Sequence, residues 1–435
     1  MVNKLEIIGE KRIPGFSQLL SKRPDQFSRE FWPKYYSKAE GTHIWDMEDN
    51  KFLDFSFSGI GANVLGYADP DVNNAVKKCI DMGSSSSINC PEDALLAEQL
   101  CAMHPCADMV RFSRSGGEAV SIAIRIARTF TNKDKVLFCG YHGWSDWYLA
   151  SNIKSDSNLD NHLLPSLKSS GVPRGLEGTA IPFNYNDIKQ FKKLFKKHIK
   201  DLACVVMEPV RSVRPDDGFL KTISEMCKQE NVVLIFDEIS SGFRICPGGS
   251  HLRFNVDPDL AVFAKAIGNG FPISVIIGNE KVMSSSQDTF ISSTNWTERV
   301  GTTAALATID KYVKNNVHEH LHVMGKSVQN FWREMSNKFN LDMEVNGLYQ
   351  LSYMSFKEDN DVKKTYFVEQ MIERSILATN RYYPNYSQDE KHFEIYKEAA
   401  EKVFNNISSI SQSKNDDLKS HIKGSISKPG FKRYA

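Results

Sequence analysis

At the usual ~150 residues per domain, 435 residues make about three structural units, so a lone peptide-sized module is excluded. Against 54 Lys and Arg stand 53 Asp and Glu, and the formal charge of +1 offers no global field for nucleic acid or an anionic membrane. With 41% hydrophobic and 25% charged residues the chain has the composition of a folded globular protein, not a disordered one.

No run approaches the ~18 to 20 apolar residues of a bilayer span, and residues 1–10 lack the apolar core of a signal peptide. A cytoplasmic location is expected, with neither nucleic acid nor membrane as partner. The eight cysteines form no C-x-x-C pair and no zinc-ribbon spacing, and several lie in apolar runs such as Ala203-Cys204-Val205-Val206. Reduced, mostly buried thiols are expected, and no bound metal.

In chain order, residues 1–75 read as an N-terminal segment with an early helix. It is followed by a small antiparallel element, residues 42–46 and 51–55, around an Asp49-Asn50 turn. Residues 76–314 alternate helices with short, continuously apolar strands at 109–112, 135–138, 203–207, 232–236, 260–263 and 274–277. Strands apolar on both faces predict an α/β domain with a mostly parallel sheet covered by helices. Residues 315–411 predict a C-terminal α+β domain, and the Ser/Lys-rich tail 412–435 is expected to be loosely held. Residues 149–178, rich in Ser, Asn and Gly, read equally as an active-site lid or a surface loop.

In a parallel sheet the carboxyl ends of the strands face one crevice, so chemistry is sought just after the apolar runs. Ser115-Gly116-Gly117-Glu118 follows a strand and opens a helix whose Val120, Ala123, Ile124 and Ala127 share one face. Such a turn suits a phosphate, and equally a plain helix start. The strand 232–236 runs into Asp237-Glu238, and a carboxylate buried there requires a partner. No G-x-x-x-x-G-K-[ST] loop accompanies it, which argues against a P-loop NTPase. Lys265 interrupts an apolar segment before Gly268-Asn269-Gly270; desolvation would make its amine a nucleophile or proton carrier, unless it snorkels from the strand end. Tyr141 and His142, at another strand end, either stack on a flat ring or pack. Together these residues ask for one ligand with a phosphate, a ring, a ring nitrogen and a carbonyl. Pyridoxal phosphate has all four.

These runs, together with Gly140-Tyr141-His142-Gly143, Glu208-Pro209, Gly242-Phe243-Arg244 and Ala264-Lys265, closely resemble the class III pyridoxal-phosphate aminotransferases, nearest the glutamate-1-semialdehyde aminomutase branch. The resemblance spans roughly residues 12–408. It implies a fold-type I architecture with a smaller α+β domain built from the two chain ends. It also implies that Lys265 forms the Schiff base with the cofactor, Asp237 pairs with the pyridinium nitrogen, and Tyr141 and His142 lie at the ring. Ser115, Gly116 and Gly117 would bind phosphate, and Glu208 would sit near the ring and Lys265. Thr294 occupies the place of a threonine that completes the partner subunit's phosphate site, which implies a homodimer. The substrate-binding candidates are Arg23 and Glu298, with Arg211 and Arg244 as further arginines able to clamp an anion.

The departures from the family concern the substrate. The phosphate turn has Gly117 where a hydroxyl is usual, and Asn295-Trp296-Thr297-Glu298-Arg299 follows Thr294 in place of S-G-N-P. Where aminomutases carry a tryptophan before an L-G-H segment, this chain has Ile60, and no glutamate follows Ile376-Leu377-Ala378 until Glu390. The expected activity is therefore ping-pong transfer of an amino group from an amino-acid donor to a separate aldehyde or ketone. The aromatic stretch 379–388 would suit a keto-sugar or another small metabolite, and equally aromatic packing against the C-terminal domain; the alternative activity is that of a glutamate-1-semialdehyde aminomutase. A remote rival is a zinc peptidase, since His318-Glu319-His320-Leu321-His322 fits H-E-x-x-H. Its third-ligand position is held by Val328. The glycine-rich run 59–66 reads as a backbone turn and not a dinucleotide loop.

Overall fold

A computed structural model describes residues 2–162, 167–210, 212–413 and 416–428. The described residues form two compact units, one of residues 70–318 and the other of both chain ends, up to Asp69 and from Glu319 to 428. In the latter, β1 (Tyr36–Glu40), β2 (His43–Asp46) and β3 (Lys51–Phe55) form an antiparallel meander.

The larger unit is built on β4 (Met109–Ser113), β5 (Lys135–Cys139), β6 (Ala180–Pro182), β7 (Leu202–Met207), β8 (Val233–Asp237), β9 (Leu260–Phe263) and β10 (Ser274–Gly278). They pair in the order β4-β10-β9-β8-β7-β5-β6, parallel throughout except at β10, which is antiparallel to both neighbours. Successive side chains point to opposite faces, and both faces are covered. Phe138, Cys204, Val206 and Ile235 join one core with Val120, Ala123 and Ala127 of the helix Gly116–Thr131. Leu137, Val205, Leu234 and Phe236 join another with Phe191, Phe195 and Ile223 of the helices Ile188–His198 and Phe219–Gln229. That double burial is why the strands read as unbroken apolar runs.

In the unit of the chain ends, β11 (Met343–Asn346), β12 (Ser352–Phe356), β13 (Ile376–Ala378) and β14 (Arg381–Tyr382) complete two small sheets, with β13 parallel to β3. Its core gathers Trp332, Tyr396, Phe367 and Phe404, and Trp332 Nε1 donates to Tyr396 Oη at 2.7 Å. The described part of the tail is tied down, contrary to expectation. Gly424 N–H donates to Glu369 Oε1 at 2.9 Å, and Ser427 N–H to Thr365 Oγ1 at 2.8 Å. Residues 429–435 lie outside the described residues. Residues 167–172 and 150–159 are anchored as well: Asn152 Nδ2 donates to the Leu167 carbonyl at 2.7 Å, and Leu159, Leu167 and Val172 are buried. All eight cysteines are free, five of them buried. Among the described residues no helix is long and apolar enough to cross a membrane.

Candidate active site

Register brings the strand ends level. Cys139 pairs with Met207, Met207 with Phe236, and Asp237 with Val262, so β5, β7, β8 and β9 end along one edge. Two successive antiparallel pairings return β4 to the same direction, with Ser113 opposite Ser274. The loops leaving this edge carry Ser115, Tyr141, His142, Glu208, Asp237 and Lys265.

Asp237 is buried at the end of β8, with Oδ1 accepting from Ile239 N–H at 3.0 Å and Oδ2 2.8 Å from His142 Nδ1. His142, also buried, donates from Nε2 to the Cys139 carbonyl at 3.2 Å. One ring nitrogen thus holds the carboxylate while the other anchors the ring to a strand end. Of the two expected roles, His142 takes neither plain packing nor an open stacking face: it orients Asp237.

Lys265 is partly buried, and its Nζ donates to Ser240 Oγ at 2.8 Å. Burial pulls the ammonium below its ordinary value of 10.5, opposed in part by the charges of Asp237 and Glu208. Its backbone sits in the left-handed region, at φ 50°, a conformation non-glycine residues adopt at a cost of the order of 1 kcal/mol and one common at functional sites. Ser240 is a site residue that the sequence reading missed; its position three residues after Asp237, in the turn leaving β8, is the signal that could have found it.

Glu208 Oε2 accepts from Tyr141 N–H at 3.3 Å, and Gly140 lets it do so: at φ 127°, an added Cβ would lie 2.5 Å from that oxygen. Tyr141 is 44% exposed, so its ring remains available to a ligand. The two glycine turns touch, since a Cβ on Gly143 would come 2.7 Å from Gly117 Cα. Ser115 caps the helix Gly116–Thr131, and Glu118 reaches back to the N–H groups of Arg114 and Ser115 at 2.9 and 3.3 Å. The first N–H groups of a helix have no intrahelical acceptor and lie at its positive end. The result is a glycine turn at a helix start, on the same sheet edge as a buried carboxylate and an amine whose pKa burial lowers. It fits the phosphate, ring nitrogen and carbonyl of one compact cofactor.

The remaining candidates are placed differently. Thr294 is exposed and opens a short turn, its carbonyl accepting from Thr297 Oγ1 at 3.1 Å. The Glu298 carboxylate caps the helix Arg299–Lys314, accepting from Val300 and Gly301 N–H at 2.7 and 2.9 Å, and pairs with Arg114 Nε at 2.9 Å. Arg23 lies in the unit of the chain ends, where Gly15 makes room for its guanidinium: a Cβ there would be 2.4 Å from NH2. Arg244 is buried, and Arg211 lies outside the described residues. Tyr382, in the stretch read equally as an acceptor surface or as packing, is a core residue stacked on Phe55 with centroids 5.0 Å apart.

Among the described residues no third ligand-type side chain converges on His318 and His322. The His318 ring stacks on Tyr312 at 6.2 Å and His322 meets the edge of Tyr349 at 5.0 Å. Among the described residues, the three ligand-type side chains whose donor atoms converge within 4.8 Å are Cys106, His251 and Asp257.

A parallel sheet with a lysine, an aspartate and a glycine cradle at its carboxyl edge defines a fold-type I pyridoxal-phosphate enzyme. The sequence pattern of the class-III aminotransferases matches residues 28–410, and the chain belongs to that family. It is 32% identical over 365 residues to a glutamate-1-semialdehyde 2,1-aminomutase of Psychrobacter arcticus, covering 81% of this chain and 82% of the relative. The fold matches the FumI protein of Sphingopyxis sp. MTA144, solved with pyridoxal phosphate. The TM-score is 0.85 at 21% identity, covering 98% of both chains. It also matches a glutamate-1-semialdehyde aminomutase of Pseudomonas aeruginosa PAO1 holding the amino form of the cofactor, with a TM-score of 0.78 at 16% identity over 92% of this chain and 93% of that one.

Proposed function

We propose that the protein moves an amino group from an amino-acid donor to a separate aldehyde or ketone acceptor, by a ping-pong route that uses the cluster around Lys265. Bound pyridoxal phosphate supplies a carbonyl that captures amines and a ring that draws electrons from the substrate's α-carbon. Lys265 Nζ would be the covalent anchor of the cofactor and the base that carries the substrate's α-proton. Its lowered pKa supports both tasks, because each requires the neutral amine. Asp237, held by His142, would pair with the cofactor's ring nitrogen and keep it protonated. Tyr141 would cover the ring and the turn at Ser115, Gly116 and Gly117 would take the phosphate, while Glu208 steadies the Tyr141 backbone.

The carrying observation for transfer between separate molecules is the segment after β13. There Thr379 Oγ1 is committed to the Arg381 carbonyl at 3.1 Å, and no glutamate appears until Glu390. The aminomutase reading keeps one specific support, the 32% identity to a relative of that name. Holoenzyme mixed with glutamate and no acceptor decides between them. A transferase loses its yellow colour and releases one equivalent of 2-oxo acid per site. Efficient conversion of glutamate-1-semialdehyde to 5-aminolaevulinate, with no half-reaction from any common amino acid, is the opposite result.

The working form is a homodimer in which the partner subunit's Thr294 completes each phosphate site. Exposure of Thr294 four residues from Phe290, which is 83% exposed, supports an interface there. Sedimentation of the holoenzyme as a fully active monomer would refute it.

A further inference from the structure

A second cluster lies in the larger unit, outside the residues assigned to the cofactor. Cys106 Sγ is 3.9 Å from His251 Nε2, and the Asp257 carboxylate lies with both inside 4.8 Å. On a tetrahedral zinc ion, with Zn–S of about 2.3 Å and Zn–N of about 2.0–2.1 Å, sulfur and nitrogen ligands stand about 3.6 Å apart. The observed pair is thus a few tenths of an ångström from that spacing.

The histidine is already set for this role. Its Nδ1 donates to Glu238 Oε1 at 2.8 Å, which leaves the Nε2 lone pair toward Cys106, and its backbone N–H donates to the same oxygen at 2.9 Å. A carboxylate behind a ligand histidine is the usual support of a metal-bound imidazole, fixing both tautomer and ring orientation. Glu238 is fully buried and also accepts from Ser250 Oγ at 2.8 Å. Gly249 leaves the ring its place, because a Cβ there would sit 2.3 Å from His251 Cε1. Asp257 is exposed and offers the way in.

We propose that Cys106, His251 and Asp257 bind one zinc-class divalent cation, with a fourth position open to water. The thiol proton passes to solvent on binding. The ion ties the segment before β4 to the segment between β8 and β9.

Cobalt(II) is the probe, because its visible d–d bands report tetrahedral coordination. Metal-stripped holoenzyme is titrated with cobalt(II), and bound metal is counted after dialysis. One ion per chain with tetrahedral bands is expected in the parent, with affinity at least ten-fold lower in both Cys106→Ser and Asp257→Asn and cofactor absorbance retained in each. No bound ion in the parent, or unchanged affinity in either variant, overturns the proposal.

Discussion

The carboxyl edge of the large sheet and the segment 379–388 are both crowded with polar side chains, yet they use them in opposite ways. At the sheet edge the groups are left reachable: Tyr141 is 44% exposed, Lys265 partly so, and two glycine turns bring the backbone at Gly117 and Gly143 together. In 379–388 the polar groups are closed on one another. Tyr382 Oη donates to Gln388 Oε1 at 2.7 Å, Gln388 Nε2 to the Asp54 carbonyl at 2.9 Å, and Asn385 Nδ2 to Ser58 Oγ at 3.0 Å, all three side chains being at most 1% exposed. Buried polar groups with every partner present specify a fold; polar groups held in place but left open serve a ligand.

Substitution at the two places should therefore fall on different observables. Lys265→Ala removes both the covalent anchor and the base, and turnover should drop by about 10⁴-fold or more while the unfolding temperature of the apoprotein stays near that of the parent. Asp237→Asn keeps the shape but not the charge, and a loss of about 10²- to 10³-fold in turnover with cofactor retained is expected in steady-state assays. Near-normal turnover in that variant would remove Asp237 from the chemistry.

His104 tests whether closed polar groups also exist near the sheet edge. It is fully buried, its Nδ1–H donates to the Leu100 carbonyl at 2.8 Å, and its Nε2 accepts from Gly249 N–H at 3.0 Å. Burial depresses its pKa from 6.5 to about 4. The folded state resists a proton that the unfolded chain accepts, so this stability is complete above pH 6.5. It is lost as pH falls toward 4, by about 3 kcal/mol over the window. Unfolding temperatures at pH 7 and pH 5 should diverge less in His104→Asn than in the parent. The smallest effect is expected of Tyr382→Phe, which deletes one buried hydrogen bond and should cost about 1–2 kcal/mol in thermal unfolding with turnover unchanged.

What was legible in the sequence follows the same division. Lys265 and Asp237 stood out because a charge at the end of an apolar run is costly wherever the strand is buried on both faces, and Val233–Asp237 is buried throughout. His142 was visible only as an aromatic side chain; its hold on Asp237 joins residues 95 positions apart and depends on the β5, β7 and β8 register. The turn of direction at β10 was equally hidden, because strands covered on both faces look alike whether parallel or not. The aromatic run 379–388 read equally as a ligand surface and as packing, since composition does not distinguish an open ring from Tyr382 stacked on Phe55. Glu298, read as a substrate residue, showed a polar group next to a helix start and no hint that the N–H groups of Val300 and Gly301 would claim it.

The account stands on one covalent bond. Reduction of the holoenzyme with borohydride, followed by peptide mapping, should find the cofactor fixed to Lys265 in nearly every chain. A label on any other lysine, or no bound chromophore after reconstitution with pyridoxal phosphate, would contradict it.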